Sequence, residues 1–241
     1  MARIRLIDLL NERTPAVDDP DLALAESRVT VDGAVITNPA SQVRPDARIV
    51  VKARKEPQGV VKLGHALDRF DVDVAGAVAV DLGACTGGFT LALLARGAAK
   101  VFAVDVGFGQ LLGSLRQDER VVNLEKTNVS EVTPALLNCR PDLVVVDVTR
   151  LKLRDVAAQL IANDVPKGGT QLVGLVKPAF ELGLAEMPTN QSELDRALET
   201  AAEGVRAAGW SVVATMESEV RGHSGATEYF IHAAWPVQPA S

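Results

Sequence analysis

The chain has 241 residues, is 47% apolar and carries a net charge of −6, which supplies enough apolar material for a packed core and excludes a disordered chain. The acidic balance argues against a protein built for unspecific phosphate binding, because that affinity comes from Lys and Arg. Two cysteines and three scattered histidines offer no disulfide framework and no zinc pattern, and no apolar run spans a bilayer, so the expectation is a cytoplasmic chain with no membrane span and no metal.

In chain order, Leu6, Leu9 and Leu10 recur at helical spacing, with Asp8 interrupting the run where a signal peptide needs unbroken apolar residues. "RVTVDGAVIT" then reads as two alternating strands joined by Asp32-Gly33, a pair suited to a turn that needs positive φ twice. "ARIVVKA" gives a third strand after the loop "NPASQVRPD". Residues 1–55 thus form a small α+β domain, and 56–61 read as a linker to a larger domain at 62–241. Residues 1 to 60 hold nine basic and nine acidic side chains, so the whole charge deficit lies downstream.

From residue 60 the pattern changes to strands alternating with helices. Strands are expected at 78–82, 100–105, 120–124, 142–147, 171–177, 210–216 and 227–234, with helices at 88–96, 108–117, 153–163 and 190–208. Strands apolar on both faces, separated by amphipathic helices, specify an α/β, Rossmann-like domain with a mostly parallel seven-stranded sheet covered on both sides.

In such sheets the ligand binds beyond the carboxyl ends of the strands, near the turn after the first one. Here that turn is "VAVDLGACTGGFT", where Gly83, Gly87 and Gly88 let the backbone approach a ligand and the next helix offers free N–H groups. Asp105 ends the second strand, placed to accept hydrogen bonds from two ribose hydroxyls. "DLGACTGG" is neither the G-x-G-x-x-G of a dinucleotide site nor a P-loop. S-adenosyl-L-methionine fits better, with its amino-acid end against the glycine turn and its ribose against Asp105.

"DLGACTGGFT", "AVDVGFGQL", "EKTN", "VVVDV", "LVKPAFELG" and "GATEYF", in that order, resemble the motifs of the TlyA family, hemolysin-like ribosomal RNA methyltransferases with an FtsJ-class catalytic domain. The resemblance covers residues 60 to 234. It implies a class I methyltransferase fold, preceded by a small RNA-binding domain of the kind found in small-subunit ribosomal protein four. It also implies methyl transfer from S-adenosylmethionine to a ribose 2′-oxygen of ribosomal RNA, with RNA or a ribosomal subunit as partner. Oligomeric state is not implied. The family's Lys-Asp-Lys-Glu tetrad falls on Lys62, Asp147, Lys177 and Glu228.

The residues agree on location, since Asp147 and Lys177 end the fourth and fifth strands and Glu228 opens the last, facing the same edge if that strand runs antiparallel. A ribose hydroxyl is a poor nucleophile and needs alignment and a proton acceptor. A lysine serves when burial or a second cation favours its neutral form, which gives Lys62 the part of a neighbour to Lys177. Asp147 would orient Lys177, and Glu228 would fix Lys62. Cofactor contacts are expected from Asp81, Gly83, Ala84, Thr86, Gly87, Gly88, Asp105, Val106 and Asn128. Asp81 is expected to pin the glycine loop through backbone N–H groups, and Asn128 to bond the adenine edge or to cap the turn before "VTPALL". Phe89 and Phe108 either flank the adenine or join the core.

Three stretches depart from the family pattern. "VDDPDLALAES" is acidic where the family carries arginines, with a cost in phosphate contacts. "TRLKLRD" replaces an aromatic segment after the fourth-strand acid, bringing Arg150, Lys152 and Arg154. The loop beyond "KPAFELG" is shortened to "LAEMPTNQSE".

Overall fold

A computed structural model describes residues 3–14, 19–25, 27–52 and 57–237. The chain divides into two compact units, Met1–Glu56 and Pro57–Ser241. The first contains β1 (Ile4–Arg5), α1 (Leu6–Arg13), α2 (Pro20–Ala25), β2 (Val29–Val31), β3 (Ala34–Val35), β4 (Gln42–Val43) and β5 (Ile49–Val51). The leucine spacing has the consequence expected of it: Leu6, Leu9 and Leu10 are buried in α1 and share one core with Leu24, Val29 and Val43. Asp32 and Gly33 both take positive φ, 50° and 87°, so the turn closes the β2–β3 ladder with Val31 opposite Ala34. β5 pairs with the other side of β2. The β1–β4 ladder, Ile4 opposite Val43, falls in stretches too short to show alternation, so sequence periodicity leaves it unread.

The second unit contains α3 (Gln58–Arg69), β6 (Val78–Leu82), α4 (Gly88–Ala95), β7 (Lys100–Asp105), α5 (Gly113–Gln117), β8 (Val121–Glu125), α6 (Pro134–Leu137), β9 (Leu143–Val146), α7 (Leu153–Ala162), β10 (Gln171–Val176), α8 (Pro178–Leu182), α9 (Gln191–Ala207), β11 (Ser211–Glu217) and β12 (Tyr229–Ala234). Its sheet runs β11-β12-β10-β9-β6-β7-β8. β8, β7, β6, β9 and β10 are mutually parallel, while β12 is antiparallel to both its neighbours. Successive residues of one strand serve opposite cores. Val144 and Val146 face the layer of α7 and α9, with Val156, Leu160 and Val205. Leu143 and Val145 face the layer of α3 and α4, with Leu63, Leu67 and Leu93. This is why β9 reads as an unbroken apolar run.

Two expectations change. The helix expected at 108–117 shrinks to α5, because Gly109 takes φ +75° and Leu112 is extended at φ −53°, ψ 139°, a glycine-rich approach that a helix tolerates poorly. Of the linker expected at 56–61, residue 56 lies outside the described residues and 57–61 belong to the second unit, where α3 opens at Gln58 behind the extended Pro57. Among the described residues no helix is long and apolar enough to cross a membrane.

After β6 the chain proceeds through β7 to β8 at one edge, then returns to place β9 on the other side of β6. The order reverses there, which opens a crevice beyond the carboxyl ends of β6 and β9.

Replacing Leu10, fully buried in the first unit's core, by alanine is expected to cost that unit about 2–5 kcal/mol. Amide hydrogen exchange should then accelerate across residues 3–52 while β6, β9 and β10 keep their protection. Equal acceleration in both units would contradict two separately cored bodies.

Candidate functional site

Gly83 leaves β6 with φ +90°, and a Cβ there would overlap the carbonyl oxygen of Asp147. Only glycine lets the two strand ends lie this close at the crevice. The next turn is tied down by Asp105 at the end of β7: one carboxylate oxygen accepts from Cys85 N at 2.8 Å, the other from Gly107 N at 2.6 Å. Asp105 therefore staples the turns after β6 and β7 together, a duty that sequence reasoning does not assign, and each oxygen keeps a further lone pair for a ligand.

These turns border a cleft of about 700 Å³ lined by Gly83, Cys85, Asp105, Val106, Asn128, Asp147 and Lys177, with Thr149, Arg150 and Leu151 along one wall. A recess of about 260 Å³ is lined by Gln58, Gly59, Ala84, Thr86 and Gly88 and shares Gly83, Cys85 and Asp147 with the cleft. A cleft of this size suits a nucleoside-sized ligand. Gly87, placed with the contacts by the sequence, packs against Leu111 and Leu115 instead. Asn128 borders the cleft, but its side-chain oxygen accepts from Ser130 N at 3.0 Å in a capping box completed by Glu131. The turn-capping alternative is the one the structure displays.

Asp81 differs from its expected use. It is fully buried, and its Oδ2 accepts from the Thr90 hydroxyl at 2.6 Å, with the Thr90 backbone N–H also directed at the carboxyl, so it braces the first turn of α4 just beyond the glycine loop. Its Oδ1 is buried without a partner. Burial pushes the Asp81 carboxyl up to about 7, opposed by the Thr90 hydrogen bond and reinforced by the charges of Asp147 and Asp105. Phe89 is core, with its ring 6.2 Å from that of Phe230. Phe108 is exposed under the ammonium of Lys126, 4.5 Å from the ring centre, because the expected helix is absent there. Among the three cations after β9, Arg150 lines the cleft, Lys152 precedes α7, and Arg154 lies 3.5 Å from Asp155.

Lys62, Asp147, Lys177 and Glu228 form two ion pairs. Lys177 Nζ lies 2.6 Å from Asp147 Oδ1 and donates to the Val148 carbonyl at 3.3 Å. Lys62 Nζ lies 2.6 Å from Glu228 Oε2, with both side chains buried. In the β10–β12 ladder Val176 faces Tyr229, so Lys177 and Glu228 stand opposite each other one step beyond it. The antiparallel return of β12 thus delivers an acid to the edge where β9 and β10 end. Rather than serving as a bare second cation, Lys62 has its own carboxylate.

Residues that the sequence does not single out hold this arrangement. Gly59 on α3 meets Gly88 so closely that a Cβ on Gly59 would lie 3.1 Å from the Gly88 Cα, which seats the helix bearing Lys62 against the glycine turn. Gly222 leaves room for the Glu228 carboxylate. Neither glycine carries chemistry, and their signal exists only in the approach of segments distant in sequence.

Residues 56–235 match the family of FtsJ-like methyltransferases. The 16S/23S rRNA (cytidine-2′-O)-methyltransferase TlyA of Mycobacterium tuberculosis is 38% identical over 217 residues, covering 86% of this chain and 80% of its own. A solved hemolysin candidate from Streptococcus thermophilus superposes with a TM-score of 0.72 at 28% identity, over 99% of this chain and 90% of that one. The N-methyltransferase NodS of Bradyrhizobium japonicum, 14% identical, shares the fold with a TM-score of 0.51 over 72% of this chain and 94% of its own.

The folded-state value of Asp81 lies above the unfolded carboxylate value of 3.8. The stability it contributes is therefore full below about pH 4 and lost as pH rises through about 7, by on the order of 4 kcal/mol. Urea unfolding of the wild type and Asp81→Asn between pH 4 and 8 should show the variant gaining on the wild type across that window. Parallel pH dependences would contradict a buried carboxyl that resists ionisation.

Proposed function

The chain belongs to the FtsJ-like methyltransferase family, beside its TlyA relatives, and from that premise we propose that it transfers a methyl group from S-adenosyl-L-methionine to a ribose 2′-hydroxyl of ribosomal RNA, in the cytoplasm. The observation that carries this reading is the Lys177–Asp147 ion pair in the lining of the cleft, with Glu228, paired to Lys62, opposite Lys177 at the end of the β10–β12 ladder.

The residues present fit the cofactor. Its sulfonium and ammonium are cationic, and the cleft offers Asp105 and Asp147 at its surface with the unpartnered Asp81 oxygen behind the turn. Gly83, Ala84, Thr86 and Gly88 would hold its amino-acid end, Asp105 its ribose and Val106 its adenine; Gly87 and Asn128 act by shaping the turns. Bound there, S-adenosylmethionine supplies a methyl group activated by the positive sulfur.

The protein's own work is to place the acceptor oxygen and remove its proton. Lys177 Nζ, which Asp147 and the Val148 carbonyl aim, would be the acceptor of the hydroxyl proton. Lys62, fixed by Glu228, would help hold this edge for the ribose. The first unit would serve as the RNA-binding domain. There Arg5 pairs with Asp8 and Arg44 with Asp32, exposed pairs weak enough for a phosphate to displace. A second reading, transfer to another RNA or to a small hydroxyl compound, is favoured by α2, which has Asp21 in its first turn and no basic residue in its last.

Incubation with labelled cofactor and ribosomal subunits should put methyl groups on ribose, read as alkali-resistant dinucleotides. Lys177→Ala should lower the rate by about 10²–10⁴-fold while calorimetry finds the cofactor still bound. Tight cofactor binding with no transfer to any RNA would remove this reading.

A further inference from the structure

Glu181 lies in α8, one turn beyond Lys177, and is buried at 3% exposure. Its Oε1 accepts from Leu153 N, the first residue of α7, at 2.7 Å, while Oε2 is buried without a partner. α7 has no cap of its own: Lys152 holds the N-cap position and makes no side-chain capping bond. A serine or aspartate at 152 would cap that end locally, without burying a carboxyl. The cap comes instead from the segment that carries Lys177.

Between β9 and α7 runs the strap 147–152, of which residues 147–151 line the cleft. Arg150 in it takes φ +79°, a left-handed conformation uncommon for a residue with a side chain. The strap is clamped at both ends by the segment 177–181. At one end Lys177 Nζ meets Asp147 and the Val148 carbonyl; at the other Glu181 meets Leu153 N. Leu153 is seated as well, against Gly174 of β10, where a Cβ would overlap its side chain. Because Lys177 O accepts from Glu181 N at 3.1 Å, the two clamps share one backbone turn.

We propose that Glu181 is a positioning residue: by capping α7 from the Lys177 turn it fixes the strap in the register that lets Asp147 and the Val148 carbonyl aim Lys177 Nζ. This rests on Lys177 as the proton acceptor proposed above. Burial raises the Glu181 carboxyl above the usual glutamate range, against the Leu153 hydrogen bond and the pull of Lys152 and Arg154. Accepting from Leu153 N needs an oxygen and no charge, so an amide should suffice.

Turnover on ribosomal subunits, cofactor affinity and thermal midpoint are to be measured for the wild type, Lys177→Ala, Glu181→Ala, Glu181→Gln and the double variant Glu181→Ala/Lys152→Asp. Glu181→Ala should lose about 10- to 100-fold in kcat with KM and cofactor Kd within about threefold, and Glu181→Gln should recover most of the loss. The double variant restores a local cap, so its thermal midpoint should recover while kcat stays low. Recovery of kcat together with the midpoint would make Glu181 a stability element and overturn the positioning role. So would a Glu181→Ala enzyme with wild-type kcat beside an inactive Lys177→Ala. An active Lys177→Ala would instead overturn the functional reading on which the role depends. If Glu181→Ala does not fold, the comparison passes to Glu181→Gln and Lys152→Asp, and a folded Glu181→Gln enzyme that loses kcat by the full factor overturns the proposal.

Discussion

The site depends on the place of Asp147 where the sheet order reverses. Its N–H donates to the Leu82 carbonyl at 2.9 Å, its own carbonyl presses on Gly83, and its carboxylate holds Lys177 at 2.6 Å. Three strands and the glycine turn meet through this residue: β6 through Leu82, β9 through its own chain, and β10 through Lys177. A side chain at 83 would push the two strand ends apart and, with them, the cleft from the ion pair. Close backbone packing at the crevice and the chemistry beside it are therefore one constraint rather than two.

Much of this is legible in sequence because the signals are local. The leucine spacing of α1, the Asp32-Gly33 turn, the apolar run of β9 and the glycine turn after β6 each encode a conformation within a few residues. Asp147 and Lys177 can be placed from the same reasoning, since a strand end lies at a known edge of the sheet. Glu228 needs one more step, the direction of β12, and that is set by pairing across the sheet.

What stays unread depends on contacts between distant segments. Gly109 at positive φ and the extended Leu112 break a helix that apolar spacing suggests, so Phe108 is exposed instead of buried. Beyond the ligand contacts expected of them, Asn128 and Asp105 bind backbone: Asn128 the turn that follows it, Asp105 a loop twenty residues away. The partner of Asp81 is a hydroxyl on α4 because the buried strand aims the carboxyl at the helix face. Gly59, Gly222 and Glu181 matter for what they approach, and no window of neighbouring residues contains that information.

The two ion pairs also bear on how an acidic chain can handle a polyanion. Each lysine of the site faces a carboxylate at 2.6 Å, so under the proposed function this edge would present little net charge to a phosphate backbone. On the proposed function, affinity for RNA would then come from cations outside the pairs, such as Arg150 along the cleft wall. Separating the duties in this way has a physical advantage. Lysines that hold phosphates are drawn off to them, whereas lysines already matched to buried or half-buried acids keep the geometry that proton transfer demands. The acidity of the chain is thus compatible with RNA as a substrate, provided recognition and chemistry rely on different cations.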